Sequence, residues 1–160
     1  MKIVFSKKQK QFIRRAHRSL NIAYGSVRSG KTVATTIAFL LHLFGFKEKQ
    51  QFAMIGKTRD TVRRNVLPVI EQYLGEENFT YTITRDEMEV LGHKIFVLGA
   101  NDEKAETRIR GLTLAGALCD EVTTFPRVVF EQLLARCSVK NAKVFTATNP
   151  DSPYHWLYTD

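Results

Sequence analysis

Residues 24–32 read YGSVRSGKT. A short apolar run, NIAY (21–24), precedes them, and VATTIAFLLHLF (33–44) follows. Gly25, Gly30, Lys31 and Thr32 fit the spacing G-x-x-x-x-G-K-[ST] between a strand and a helix, the context a phosphate-binding loop needs. Glycines let backbone N–H groups converge on phosphate oxygens, and the helix N-terminus adds the positive end of its dipole. The spacing predicts a nucleotide cradle of Gly25, Ser26, Val27, Arg28, Ser29, Gly30, Lys31 and Thr32. In it Lys31 would reach the β and γ phosphates and the Thr32 hydroxyl would ligate Mg²⁺. An ordinary glycine turn before a helix would leave the rest of the chain without matching chemistry.

The matching chemistry is present downstream. LTLAGALCDE (112–121) is a buried-strand pattern ending in two acids. Asp120 stands on the side expected to hold the Mg²⁺ shell. Glu121 is suited to polarise a water for attack on a γ phosphate, which a chain that only binds nucleotide would not need. TATNP (146–150) ends another strand, and Thr148 and Asn149 can hydrogen-bond a phosphate or the attacking water; a strand cap before proline is the plainer use of the same residues. Two arginines are candidate charge donors. Arg28 lies inside the loop and could act in cis, whereas Arg110 could serve as a finger reaching a neighbouring subunit's nucleotide.

Around these motifs strands and helices alternate. FSKKQKQFIRRAHRSL (5–20) predicts a basic helix after a Ser6 N-cap. QFAMIG (51–56) is a buried strand, and RDTVRRNVLPVIEQYL (59–74) a helix kinked or restarted at Pro68. FTYTIT (79–84) and EMEVLGHKIFVLGA (87–100) predict strands, with LGHK turning a hairpin. A short helix follows within 101–111, then a proline-started helix, PRVVFEQLLARC (126–137), before the last strand. This order predicts an α/β fold, a mainly parallel sheet with helices on both faces and an antiparallel hairpin insertion.

Composition agrees with one domain. The chain has 160 residues, 44% hydrophobic and 25% charged. Its net charge of +8 suits polyanionic partners, nucleic acid above all. The longest apolar stretch, IAFLLHLFGF (37–46), is too short to span a bilayer, so no membrane segment is expected. No signal-peptide pattern opens the chain, and the expected location is the cytoplasm. Cys119 is expected in the core, a disulfide is not expected, and the scattered histidines give no metal site.

FSKKQ (5–9), GSVRSGKT (25–32), RGLTLAGALCDE (110–121) and TATNPDSPYHWLY (146–158) together resemble the large terminase subunit of tailed bacteriophages and prophages, closest to the type found in defective prophages of Gram-positive bacteria. The resemblance implies a P-loop NTPase of the RecA/ASCE kind that hydrolyses ATP to drive double-stranded DNA into a procapsid. It implies ATP and Mg²⁺ as cofactors. Its implied partners are DNA, a portal protein, a small terminase subunit and further copies of the chain, a monomer alone but a ring when docked. Gln9 falls where the family reads adenine, with Gln11 a competitor. Lys31 and Thr32 match the loop lysine and hydroxyl, Asp120 the Mg²⁺-side acid and Glu121 the catalytic glutamate; TATNP resembles the coupling motif. Arg28 and Arg110 fall where different members place an arginine, so both stay open. The resemblance divides the chain into an ATPase domain, 1–150, and the start of a linker, 151–160, toward a nuclease domain; DNA cleavage is not expected here. The alternatives are an assembly module that binds nucleotide with little turnover alone, and a fragment of another P-loop DNA translocase or helicase.

Overall fold

A computed structural model describes residues 5–16, 19–25 and 30–148. Helix α1 (Lys7–Arg15) leads into strand β1 (Leu20–Tyr24) and helix α2 (Lys31–Phe44). Strand β2 (Gln51–Gly56) is followed by helices α3 (Arg59–Asn65) and α4 (Leu67–Leu74), then by β3 (Phe79–Thr82), β4 (Glu87–Val90) and β5 (His93–Gly99). Helix α5 (Ala105–Arg110), strand β6 (Gly116–Asp120), helix α6 (Arg127–Arg136) and strand β7 (Lys143–Thr148) complete the order.

Seven strands form one sheet in the order β1-β7-β6-β2-β5-β4-β3. The first five are parallel, and β4 and β3 extend the β5 edge antiparallel. The expected hairpin is therefore not set apart from the sheet: its second arm, β5, also pairs in parallel with β2. The chain leaves β1, enters β2 three places away, and returns with β7 to fill the place beside β1. That reversal of strand order opens a crevice at the carboxyl ends of the strands, where α/β sheets take ligands.

Both faces of the central strands β2, β6 and β7 are buried, which explains their near-continuous apolar sequences. Along β2, Phe52 and Met54 point to one face and Ala53 and Ile55 to the other. The first face packs Phe39 and Leu43 of α2, Val62 of α3 and Ile70 of α4 against Phe52 and Phe145. Phe39 meets Phe52 edge-on, with ring centroids 5.8 Å apart. The opposite face packs Ile109 of α5 and Val129, Phe130 and Leu133 of α6 over Ala117 and Cys119. Full burial of each large apolar side chain contributes about 1.5–3 kcal/mol, so the sheet's end is a firm platform.

The helix boundaries follow local rules. Ser6 caps α1 by accepting from the Gln9 backbone, and the Gln9 side chain accepts from Ser6 N in return, a full capping box. The expected break at Pro68 is real, and it falls at Val66: α3 ends at Asn65 and Pro68 sits in the first turn of α4, where its missing N–H costs nothing. Cys119 is buried, and both cysteines are free thiols.

Candidate functional site

The parallel register aligns the strand ends that carry the motifs. Tyr24 of β1 lies opposite Thr148 of β7, and Ala147 lies opposite Asp120 of β6. Gly25 N donates to the Thr148 carbonyl at 3.4 Å, so the chain enters the glycine loop still attached to β7. It leaves the loop at Gly30, which has φ of 75° and opens α2. A side chain there would be strained by the left-handed backbone, and its Cβ would stand 2.4 Å from Gln9 Nε2.

Lys31 and Thr32 form the first turn of α2, aimed at the crevice. Lys31 Nζ donates to the Gly25 carbonyl at 2.6 Å. Burial holds its ammonium below the ordinary lysine value, with Asp120 and Glu121 pulling the other way. The Thr32 hydroxyl donates to Asp120 Oδ1 at 3.1 Å, and Asn65 Nδ2 donates to Asp120 Oδ2 at 3.1 Å. Asp120 is only 3% exposed. Burial pushes its carboxyl above the usual aspartate value, while the bonds from Asn65 and Thr32 and the nearby Lys31 charge oppose the rise.

Glu121 follows with φ of 54° and ψ of 51°, a left-handed conformation for a residue with a side chain. Such backbone costs about 1–2 kcal/mol and collects at functional sites. Its carbonyl is held by Thr124, whose N–H and hydroxyl donate to it at 2.9 and 2.7 Å. The turn ends β6 abruptly and turns the chain toward α6. Lys31, Thr32, Asp120, Glu121 and Thr148 line one cleft of about 400 Å³. Thr148 is buried, at the last position of β7.

A second cleft of about 630 Å³ lies on the other side of Gly30 and Lys31, between α1 and β1. Gln9 and Gln11 both line it. Gln9 is tied in: its Nε2 donates to the Gly30 carbonyl at 3.2 Å. Gly30 and Lys31 thus divide an acid-lined cleft from a larger one bordered by two carboxamides.

Arg110 is not in either cleft. It ends α5, pairs with Glu106 at 2.6 Å and lies half exposed. Ser26, Val27, Arg28, Ser29 and Asn149 lie outside the described residues, as does 151–160. Asn65 and Arg64, both at the end of α3, border the acidic cleft and were missed from sequence. No motif marks them; the only signal was the helix break expected at Pro68, which the structure places at Val66, ending α3 over the crevice.

Asp120, buried, and Thr32, half-buried, are hard oxygen donors pointed at one another, a set suited to Mg²⁺ and not to a soft metal. Elsewhere among the described residues no three His, Cys, Asp or Glu side chains cluster closely enough to hold a metal. No helix among them is long and apolar enough to cross a membrane.

A family model described as "Terminase large subunit, T4likevirus-type, N-terminal" matches residues 22–160. The fold is similar to the large terminase of a thermophilic bacteriophage, with a TM-score of 0.85 and 32% identity over 98% of this chain. It is similar to the same phage protein in complex with ATP-gamma-S, at a TM-score of 0.82 and 30% identity over 98% of this chain. The chain spans 42% and 41% of those two chains. The ATPase domain of the Thermus phage P74-26 large terminase shares the fold at 17% identity, with a TM-score of 0.71 over 93% of this chain and 66% of that one. No curated protein matches the chain.

Proposed function

The chain belongs to the terminase large subunit family, and we propose that it is the ATPase motor unit of such a protein, hydrolysing ATP to drive double-stranded DNA into a procapsid. The observation that carries this reading is the cleft that gathers Lys31, Thr32, Asp120, Glu121 and Thr148 at the carboxyl ends of three adjacent strands. The related terminase of the thermophilic bacteriophage takes ADP and ATP-gamma-S.

The roles follow from the side chains. Gly25 to Thr32 offers backbone N–H groups and the α2 dipole to the phosphates. Lys31 neutralises phosphate charge. Thr32 and Asp120 would hold Mg²⁺, which would supply positive charge against the negative charge that develops in phosphoryl transfer. Glu121 accepts a proton from the attacking water, and Thr148 with Asn149 orients that water or senses the γ phosphate. Gln9 stands at the larger cleft, of a size and polarity for a purine. Arg28 in cis or Arg110 from a neighbouring copy would add the last positive charge. Partners of this reading are DNA, a portal protein, a small terminase subunit and further copies in a ring; nuclease activity is not assigned to this chain.

The test is hydrolysis measured with and without DNA. Lys31→Ala should lose nucleotide affinity. Asp120→Ala should weaken Mg²⁺-dependent binding, and Glu121→Ala should bind as the parent does but lose about 10²–10⁴ in turnover. Unchanged affinity in Lys31→Ala, or equal loss of nucleotide binding in both acid variants, would sink the reading. Nucleotide binding without turnover at any protein concentration would instead support an assembly module.

A further inference from the structure

The ATPase reading uses the loop, the two acids and the end of β7. It leaves unused the end of α3, which reaches the same acid from the other side. Asn65 Nδ2 donates to Asp120 Oδ2 at 3.1 Å, while Thr32 donates to Oδ1 at the same distance. A carboxylate turns easily about its last bond, since that torsion is broad and two-fold. One donor would leave it free to pivot; donors on both oxygens fix its plane.

Asn65 is itself held in place. Thr58 caps α3 by accepting from Thr61 N at 3.1 Å. Gly99 lets the helix lie against the sheet: a Cβ there would come within 2.9 Å of Arg59 N. Arg59 and Arg63, one turn apart, both bind Asp86 on the turn between β3 and β4. Val66, directly after Asn65, is buried in the core. The carboxamide is thus carried between an ion-paired anchor and a packed one, on an element other than those of the loop and the acids.

We propose that Asn65 is a positioning residue for Mg²⁺ binding, fixing the Asp120 carboxylate through Oδ2 so that Asp120 and Thr32 present a preset pair of oxygens to the cation. This rests on the reading of the site as a Mg²⁺–nucleotide site. Outer partners of this kind contribute to metal affinity by holding a ligand's orientation, and their loss typically costs about 10–100-fold. Thr32 was evident from its motif, whereas Asn65 follows only from the geometry.

The experiment is calorimetric titration of the whole chain with ADP, once in EDTA and once across a Mg²⁺ series. The variants are Asn65→Leu, which keeps the branched shape and removes the donor, and Asn65→Gln, which keeps an amide on a longer arm. Asn65→Ala replaces the leucine variant if circular dichroism shows that it has not folded. The donor-less variant should bind ADP in EDTA within about twofold of the parent and need at least about tenfold more Mg²⁺ for half-saturation. Asn65→Gln should recover part of that loss. A Mg²⁺ requirement equal to the parent's overturns the proposal. So does weakened ADP binding in EDTA, which would make Asn65 a prop of the fold. Failure of the ATPase reading looks different: the parent itself would ignore ADP and Mg²⁺.

Discussion

The hydroxyl of Thr32 and the carboxylate of Asp120, 88 residues apart in sequence, meet in a 3.1 Å hydrogen bond. That bond joins the helix leaving the phosphate loop to the strand bearing the acids. It also holds a carboxylate that burial disfavours, so the site is assembled at some expense to the fold.

The expense should be visible in stability against pH. Burial raises the Asp120 value above the ordinary 3.8, with Asn65, Thr32 and Lys31 opposing. The folded state then holds a proton that the unfolded state releases, and stability falls as pH climbs from 3.8 through the raised value. Asp120→Asn carries no such penalty. In thermal unfolding without divalent cations the variant should melt higher than the parent, by a margin that grows from acid toward neutral pH. A margin that shrinks over that range would contradict the assignment.

Asp86 should behave in the opposite sense. Burial alone would raise it, but bonds from Arg63 and Tyr81 and the charges of Arg63 and Arg59 prevail and hold it below 3.8. Its contribution is present above the unfolded value and lost as pH falls through the folded one. Removing one partner of a buried pair costs about 3–5 kcal/mol. Arg59 and Arg63 keep partial contact with water, at 43% and 33% exposure, which screens the pair. Asp86→Ala should therefore cost about 2 kcal/mol at pH 7 in urea titration, and the gap should narrow below pH 3.8.

Gln9 and Gln11 can be separated by base preference. Gln9 is fixed by Ser6 and Gly30, whereas Gln11 merely lines the same cleft. Gln9→Ala should lower the preference for ATP over GTP by up to about tenfold, the worth of one neutral hydrogen bond. Gln11→Ala should leave the ratio alone. Competition binding with the two nucleotides measures both, and the reverse pattern would move the role to Gln11.

Arg110 predicts concentration dependence. It lines neither cleft of its own chain and is half exposed, held by Glu106 on the same helix. A finger supplied by a neighbour contributes about 10³–10⁵ in rate. Turnover per subunit should rise with protein concentration, and Arg110→Ala should abolish the rise without changing nucleotide affinity. Mixed Arg110→Ala and Glu121→Ala subunits should regain some activity. A dead mixture despite mixed assembly, or full-rate turnover by dilute monomer, would shift the role to Arg28.

Much of this was legible in the sequence because the motifs sit where regular structure changes. Lys31 to Phe44 and Gln51 to Gly56 form the expected helix and strand, since each is an uninterrupted pattern bounded by turn residues. The meeting of Thr32 with Asp120 could be anticipated from motif chemistry. The bond from Asn65 could not. It depends on the angle at which α3 leaves Gly56 and on an ion-paired anchor at Asp86, neither of which has a periodic signature. The hairpin's union with the parallel sheet was hidden for a similar reason: alternation marks a strand but does not name its neighbours.

The place of β7 has a consequence for the order in which the molecule is born. Among the described residues β1 pairs with β7 alone, so residues 20–24 have no strand to join until residues 143–148 exist. At ribosomal speeds of about 5–20 residues per second, the first strand waits roughly 6–25 s for its partner. Through that interval β2, β5 and β6 can already pair, while the glycine loop hangs from an unanchored segment. Among the seven described strands, the pairing that carries the nucleotide site is then the last to form, so a chain able to grip ATP already has the other described strands paired.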